Sequence, residues 1–177
     1  MDGELMPKYL QEDEQISDGV NLLISILVRY PEIGTINFDP INSSIKLTFM
    51  LSGIPAPQEF AVIRRLILDS ITAFHMLEGY TPEAADVELS TYDQVAMLHM
   101  VRDVHTLSKG EIALVITLLR DRFKDRLVID YNDSMQEEDL LIQEELIDDM
   151  LESMKRQYSG NSLIGIREDG RVLVFNK

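Results

Sequence analysis

The chain has 177 residues, no cysteine, and 31 acidic against 16 basic side chains, a net charge of −15. A chain without cysteine has no disulfides, thiolate metal sites or cysteine nucleophiles, as fits a reducing compartment. The negative excess repels nucleic-acid phosphates and anionic membrane surfaces, while an apolar fraction of 45% and a charged fraction of 27% belong to a protein with a core rather than to a disordered chain.

Residues 1–14 read as a loose, acidic leader that lacks the apolar centre of a signal peptide. No apolar run is long enough to span a bilayer, and the expected location is the cytoplasm. Residues 15–177 read as one α+β domain, with Thr106-Leu107 as the only candidate sub-boundary.

A first helix is expected over about Gln15–Tyr30, where Ile16, Val20, Leu23, Ile24 and Leu27 recur at helical spacing. Pro31 ends it by pushing its predecessor out of the helical region. Ile36 and Phe38, then Ile45, Leu47, Phe49 and Leu51, alternate with polar residues. The Asp39–Ser44 turn between them makes a hairpin. Pro57 opens a long second helix, about Gln58–Gly79. Its stripe is Phe60, Ile63, Leu66, Ile67, Ile71, Phe74 and Leu77, and few charges interrupt it, so it should be largely covered.

A second hairpin pairs Val87 and Leu89 with Val95–Val101 around Thr91-Tyr92-Asp93. The second of these strands is apolar on both faces, which predicts an inner strand covered on two sides. Ser108-Lys109-Gly110-Glu111 has the capping-box spacing, in which the serine accepts an orphan amide and the glutamate reaches back. A third helix follows to about Phe123, then a short strand over Leu127–Tyr131. Ser134-Met135-Gln136-Glu137 repeats the capping box. It opens an acidic helix running to about Tyr158, stopped by Gly160. A last hairpin, Leu163–Ile166 with Val172–Phe175, turns at Asp169-Gly170.

The resulting order is αββ-αββ-αβ-αββ: an α+β fold, with a mostly antiparallel sheet built from hairpins and covered by about four helices. A βαβ crossover after Leu127–Tyr131 would supply one parallel pair.

The chemistry-bearing residues are sparse. His75 lies on the second helix beside Phe74, Met76 and Leu77, with no His or carboxylate four residues away, and reads as a packed histidine rather than a ligand. His99, Asp103 and His105 share one side if their strand runs on. They are the candidate catalytic or small-molecule- or metal-binding cluster, and the blander expectation puts His99 in the sheet and the other two in a loop. The stretch Asp130–Ser134 begins like a calcium loop, but Met135 and Leu141 stand where a glycine and a bidentate glutamate are needed. There is no phosphate-cradling glycine pattern and no G-x-S-x-G elbow, and no cofactor is expected.

The strongest signal is the acidic helix. Between Gln136 and Glu152 it carries eight carboxylates and no Lys or Arg. Glu144, Glu145, Asp148, Asp149 and Glu152 are the candidate partner-binding set, since carboxylates four apart repel one another and gain from an incoming cation. The blander reading is a solvated face. The leading expectation is therefore a non-catalytic cytoplasmic interaction or assembly module, binding a protein partner or a second copy of itself, with no nucleic acid and no membrane. The alternative is a small-molecule- or metal-binding domain or enzyme built on His99, Asp103 and His105. A more remote one is an acidic mimic of nucleic acid.

Overall fold

The computed structural model describes residues 19–131, 137–156 and 162–176. The leader, Ile16, the Ser134–Glu137 capping box (up to its last residue) and Gly160 lie outside them.

Helix α1 (19–29) leads into the hairpin β1 (Ile33–Asp39) and β2 (Ser44–Ser52). Helix α2 (Pro57–Glu78) precedes the second hairpin, β3 (Ala85–Tyr92) and β4 (Val95–Asp103). Helix α3 (Lys109–Phe123) runs into one turn of 3-10 helix, Lys124–Arg126. Then α4 (Glu137–Arg156) precedes the last hairpin, β5 (Leu163–Glu168) and β6 (Arg171–Asn176). The strands form one six-stranded sheet in the order β3-β4-β2-β1-β5-β6, with every pair antiparallel. The α+β architecture made of hairpins is thus as the periodicities imply.

Alternate residues of each strand enter a single apolar cluster, among them Ile36 and Phe38, Ile45, Leu47, Phe49 and Leu51, and Ala96, Leu98 and Met100. Buried apolar residues of all four described helices join that cluster, so the helices lie on one face of the sheet. Each fully buried Leu or Ile contributes on the order of 1.5–3 kcal/mol. The cluster takes residues from both sides of Thr106-Leu107. Where α1 crosses β5, a Cβ on Gly165 would come within 2.9 Å of Leu27 Cδ1, so the missing side chain lets the helix pack close. Arg167 of β5 then donates to the carbonyls of Leu27, Tyr30 and Ile33, a guanidinium at the negative end of α1. At the final turn Asp169 and Gly170 both have positive φ (50° and 77°), the mirror-type turn that an Asp-Gly pair favours.

Several local expectations are corrected. Among the described residues β4 is covered by helices on one face only: Ala96, Leu98 and Met100 are buried, while Val95, Met97, His99 and Val101 are half-buried on the opposite side. The expected strand at Leu127–Tyr131 shrinks to one bridge, Leu51 to Leu127, because the chain meets β2 at its end and leaves after a single further bond, Val128 N–H to Met50 O at 2.9 Å. The third segment of the order is therefore a helix followed by a turn, and the described residues contain no parallel pair. Helix α2 buries only Ile63, Ile67, Ile71 and His75, a row four apart, and leaves Leu66 and Leu77 exposed. Its lack of charge does not reflect a broad buried face.

Candidate functional site

Arg102 continues the inward row of β4 after Ala96, Leu98 and Met100, so the strand's alternation drives a guanidinium into the core. It is fully buried and needs carboxylates. Glu111, one turn into α3, supplies the first: Arg102 Nε donates to Oε2 at 2.6 Å and Nη2 to Oε1 at 2.8 Å. Asp103 supplies the second, bonded to Arg102 Nη1. Burial opposes the Arg102 charge, but Glu111 and Asp103 outweigh it and hold the group above its ordinary range. Burial likewise pushes Asp103 upward. The Ala84 amide, Thr106 and Arg102 overcome this, so its carboxyl sits below the usual carboxylate range. Glu111 also corrects the capping-box expectation. Ser108 Oγ does accept from the Glu111 amide at 3.4 Å, but the glutamate side chain turns into the core instead of back to the cap.

His75, near the end of α2, completes the cluster through Nε2, which contacts Glu111 Oε1. The two Nη2 hydrogens of Arg102 have acceptors in Glu111 Oε1 and Thr106 Oγ1, so the 3.1 Å approach of Nη2 to His75 Nε2 is a contact between two donors sharing one carboxylate. His75 Nε2 therefore carries the hydrogen given to Glu111. The other ring nitrogen, Nδ1, is buried and has no hydrogen-bond partner among the described residues. His75 is 2% exposed and forms part of the wall of a cavity of about 610 Å3.

That cavity lies between the end of α2, the 104–108 turn, the start of α3, and α4. Phe74, Tyr80, Leu107 and Leu151 give it apolar walls, and Glu78, Asp148 and Glu152 face it together with Lys109 and His105. Asp148 accepts the Lys109 amide at 3.0 Å, a carboxylate at the positive start of α3 that ties α4 to it.

The cluster expected from the sequence is split by the sheet. His99 lies on the face away from the helices, where Thr48 Oγ1 and Ser90 Oγ each meet one ring nitrogen at 2.8 Å. Burial, then Lys46, lowers its pKa below the ordinary value, as for a neutral, satisfied sheet histidine. Asp103 ends β4 and joins the Arg102 cluster, and His105 lies in the following turn at the cavity wall. Alternation stops at Asp103 because the chain turns there.

The acidic set divides as well. The apolar side of α4 is inward, with Ile147, Leu151 and Met154 buried and Leu140 half-buried. Glu144 turns in toward Arg29 at 3.2 Å, Asp148 caps α3, and Glu152 reaches the cavity. Glu145, Asp149 and Glu152 are exposed, the first two beside a second apolar row: Leu141, Ile142 and Leu146 are 53%, 54% and 43% exposed.

Sequence reasoning missed His75, Arg102 and Glu111. The one available signal was Arg102 on the inward parity of an apolar strand, a position that requires buried acidic partners. Among the described residues no three His, Asp or Glu side chains group as a metal site, and no helix is long and apolar enough to cross a membrane. No known family, no curated protein and no solved structure matches the chain.

Proposed function

We propose that the protein is a non-catalytic interaction module whose docking surface is the outer face of α4. The observation that carries this is the exposed row Leu141, Ile142 and Leu146 set among Glu138, Glu145 and Asp149. Glu138 and Ile142, Leu141 and Glu145, and Ile142 and Leu146 are each four apart and so adjacent on the helix surface. An apolar strip edged with carboxylates suits a basic amphipathic segment, with apolar contact supplying affinity and charge supplying approach rate and selectivity. Two copies of the same acidic strip repel, so this face selects a partner other than itself. A cytoplasmic setting belongs to the same proposal, in keeping with a chain of 177 residues without cysteine.

The test is fluorescence anisotropy with a labelled amphipathic helical peptide of leucine and lysine against the whole chain. Affinity is expected to fall as salt rises. The pair Ile142→Ser and Leu146→Ser should weaken binding roughly tenfold, and Glu145→Gln with Asp149→Asn should flatten the salt dependence. Unchanged binding by both variants overturns the proposal.

Self-association is supported by a different surface. On the sheet face that no described helix covers, Ile164 stands opposite Phe175, and Ile166 opposite Leu173, with Phe175 50% exposed. Strands β3 and β6 are sheet edges, and an edge beside an apolar patch favours pairing of two copies about a two-fold axis. Sedimentation at micromolar concentration is expected to show a dimer that Phe175→Asp dissociates. A monomeric parent chain sinks this second reading.

A further inference from the structure

We infer that the cavity under α4 is a binding site for a small organic cation, a primary amine on an aromatic or apolar body. The site is separate from the outward row of α4 and does not depend on the interaction proposal. Three independent features converge there. The first is His75, which is 2% exposed, is locked by Glu111 through Nε2, and lines the cavity with Nδ1 unpartnered among the described residues. A buried ring nitrogen left unmatched is unfavourable, and a ligand hydrogen-bond donor that reaches it past the cavity wall relieves the loss. With the ring hydrogen placed on Nε2 by Glu111, Nδ1 takes the acceptor role in this proposal.

The second feature is charge. Among the described residues that line the space, Glu78 and Asp148 are acidic and Lys109 is the one fixed cation, a balance that favours a positive guest over a carboxylate or phosphate. The third is shape. A volume of about 610 Å3 with Phe74, Tyr80, Leu107 and Leu151 on its walls is within the range of small-molecule pockets and holds an aromatic body beside the charged groups. The Phe74 ring meets the His75 ring edge-on at 5.2 Å, which fixes the imidazole's plane at the wall.

Glu111 orients His75 as a carboxylate orients a catalytic histidine, but both its oxygens are bound by Arg102. Its charge is thereby largely spent, so the pair is better suited to holding a ligand than to driving proton transfer. His75 and Glu78 are the ligand-contacting residues of this proposal, Glu111 and Arg102 its positioning residues.

The experiment titrates phenethylamine into the whole chain by calorimetry, with 3-phenylpropionate as the anionic counterpart, and records the side-chain 15N shifts of the three histidines. Phenethylamine is expected to saturate and 3-phenylpropionate to bind at least several-fold more weakly. The Nδ1 signal of His75 should read as an unprotonated nitrogen in the free protein and move on binding, while that of His99 stays still. His75→Gln keeps a donor for Glu111 and lacks Nδ1, and should weaken phenethylamine roughly tenfold or more. Glu78→Gln, at an exposed position, should weaken it several-fold, and Asp121→Asn, exposed near the far end of α3, should leave it unchanged. If His75→Gln does not fold, the nitrogen shift and Glu78→Gln decide. A protonated Nδ1 in the free chain, no saturation, equal binding of the anion, or equal loss from Asp121→Asn overturns the proposal.

Discussion

Glu111 bridges His75 and Arg102 across the interior: one carboxylate oxygen serves both, and the other takes Arg102 Nε at 2.6 Å. This links the end of α2, the end of β4 and the start of α3 through three side chains with essentially no exposure. Breaking such a cluster differs from replacing it. Glu111→Ala leaves a buried guanidinium under-compensated and should lower stability by roughly 3–5 kcal/mol in urea unfolding. The double change Arg102→Met with Glu111→Leu should cost clearly less than the single one. If the double variant is the less stable, the cluster contributes net attraction and the desolvation account is wrong.

Arg167 is the tie between β5 and the end of α1. Its Nη2 donates to Tyr30 O at 3.2 Å and Ile33 O at 3.1 Å, and also to Leu27 O. Arg167→Ala should destabilise by about 2–4 kcal/mol, since several carbonyls lose a charged donor together. Arg167→Lys should recover less than half of that, because one ammonium cannot reproduce the planar fork. Thermal unfolding of the two variants against the parent checks both statements.

Tyr30 predicts alkaline behaviour. Burial, then the nearby Glu144, pushes its hydroxyl from the ordinary 10.0 up to about 12, and the oxygen has no partner among the described residues. The folded state therefore keeps the proton that the unfolded chain releases. Stability is whole below pH 10 and falls as pH rises from 10 toward 12, by on the order of 2–3 kcal/mol in total. Tyr30→Phe should be neutral or slightly stabilising at pH 7 and should flatten this alkaline decline. An unchanged decline in Tyr30→Phe would show that other groups cause it.

Asp103 and His99 act on the acid side, beside the Glu59 and Asp86 carboxyls that Arg126 and Arg64 hold below their ordinary values. Asp103 has a folded pKa below its ordinary value, with burial opposed by the Ala84 amide, Thr106 and Arg102. Its contribution is present above the unfolded value of about 3.9 and is lost as pH falls through the lower folded value. His99 has a lowered pKa from burial and Lys46. The unfolded chain takes up its proton first, so stability begins to fall as pH drops below about 6.5. His99→Gln should reduce the loss near pH 6, and Asp103→Asn should reduce, without abolishing, the loss below pH 4. Urea midpoints measured from pH 8 to pH 3 separate the two windows.

Most of the architecture was legible from local rules. Period-two apolar runs placed the three hairpins, period-3.6 runs placed the helices, and Asp169-Gly170 marked its own turn. The failures came where tertiary surroundings act. Val95–Val101 is apolar on both parities, yet only one face meets helices. Leu127–Tyr131 has strand composition, but its position at the end of β2 allows one bridge.

The site was far less legible. His75 and Glu111 are 36 residues apart, and each alone has an ordinary local explanation, a helix-stripe histidine and a capping glutamate. The sequence by itself determined what depends on neighbours a few residues away: helix and strand identity, turns, and the total charge. Only the tertiary structure decided where that charge goes, with Glu144 and Asp148 turned inward, Glu145 and Asp149 left in water, and His99 separated from Asp103 and His105. The physical reason is that burying a charge or a ring nitrogen depends on partners brought from distant parts of the chain, and those partners exist only after the layers have packed.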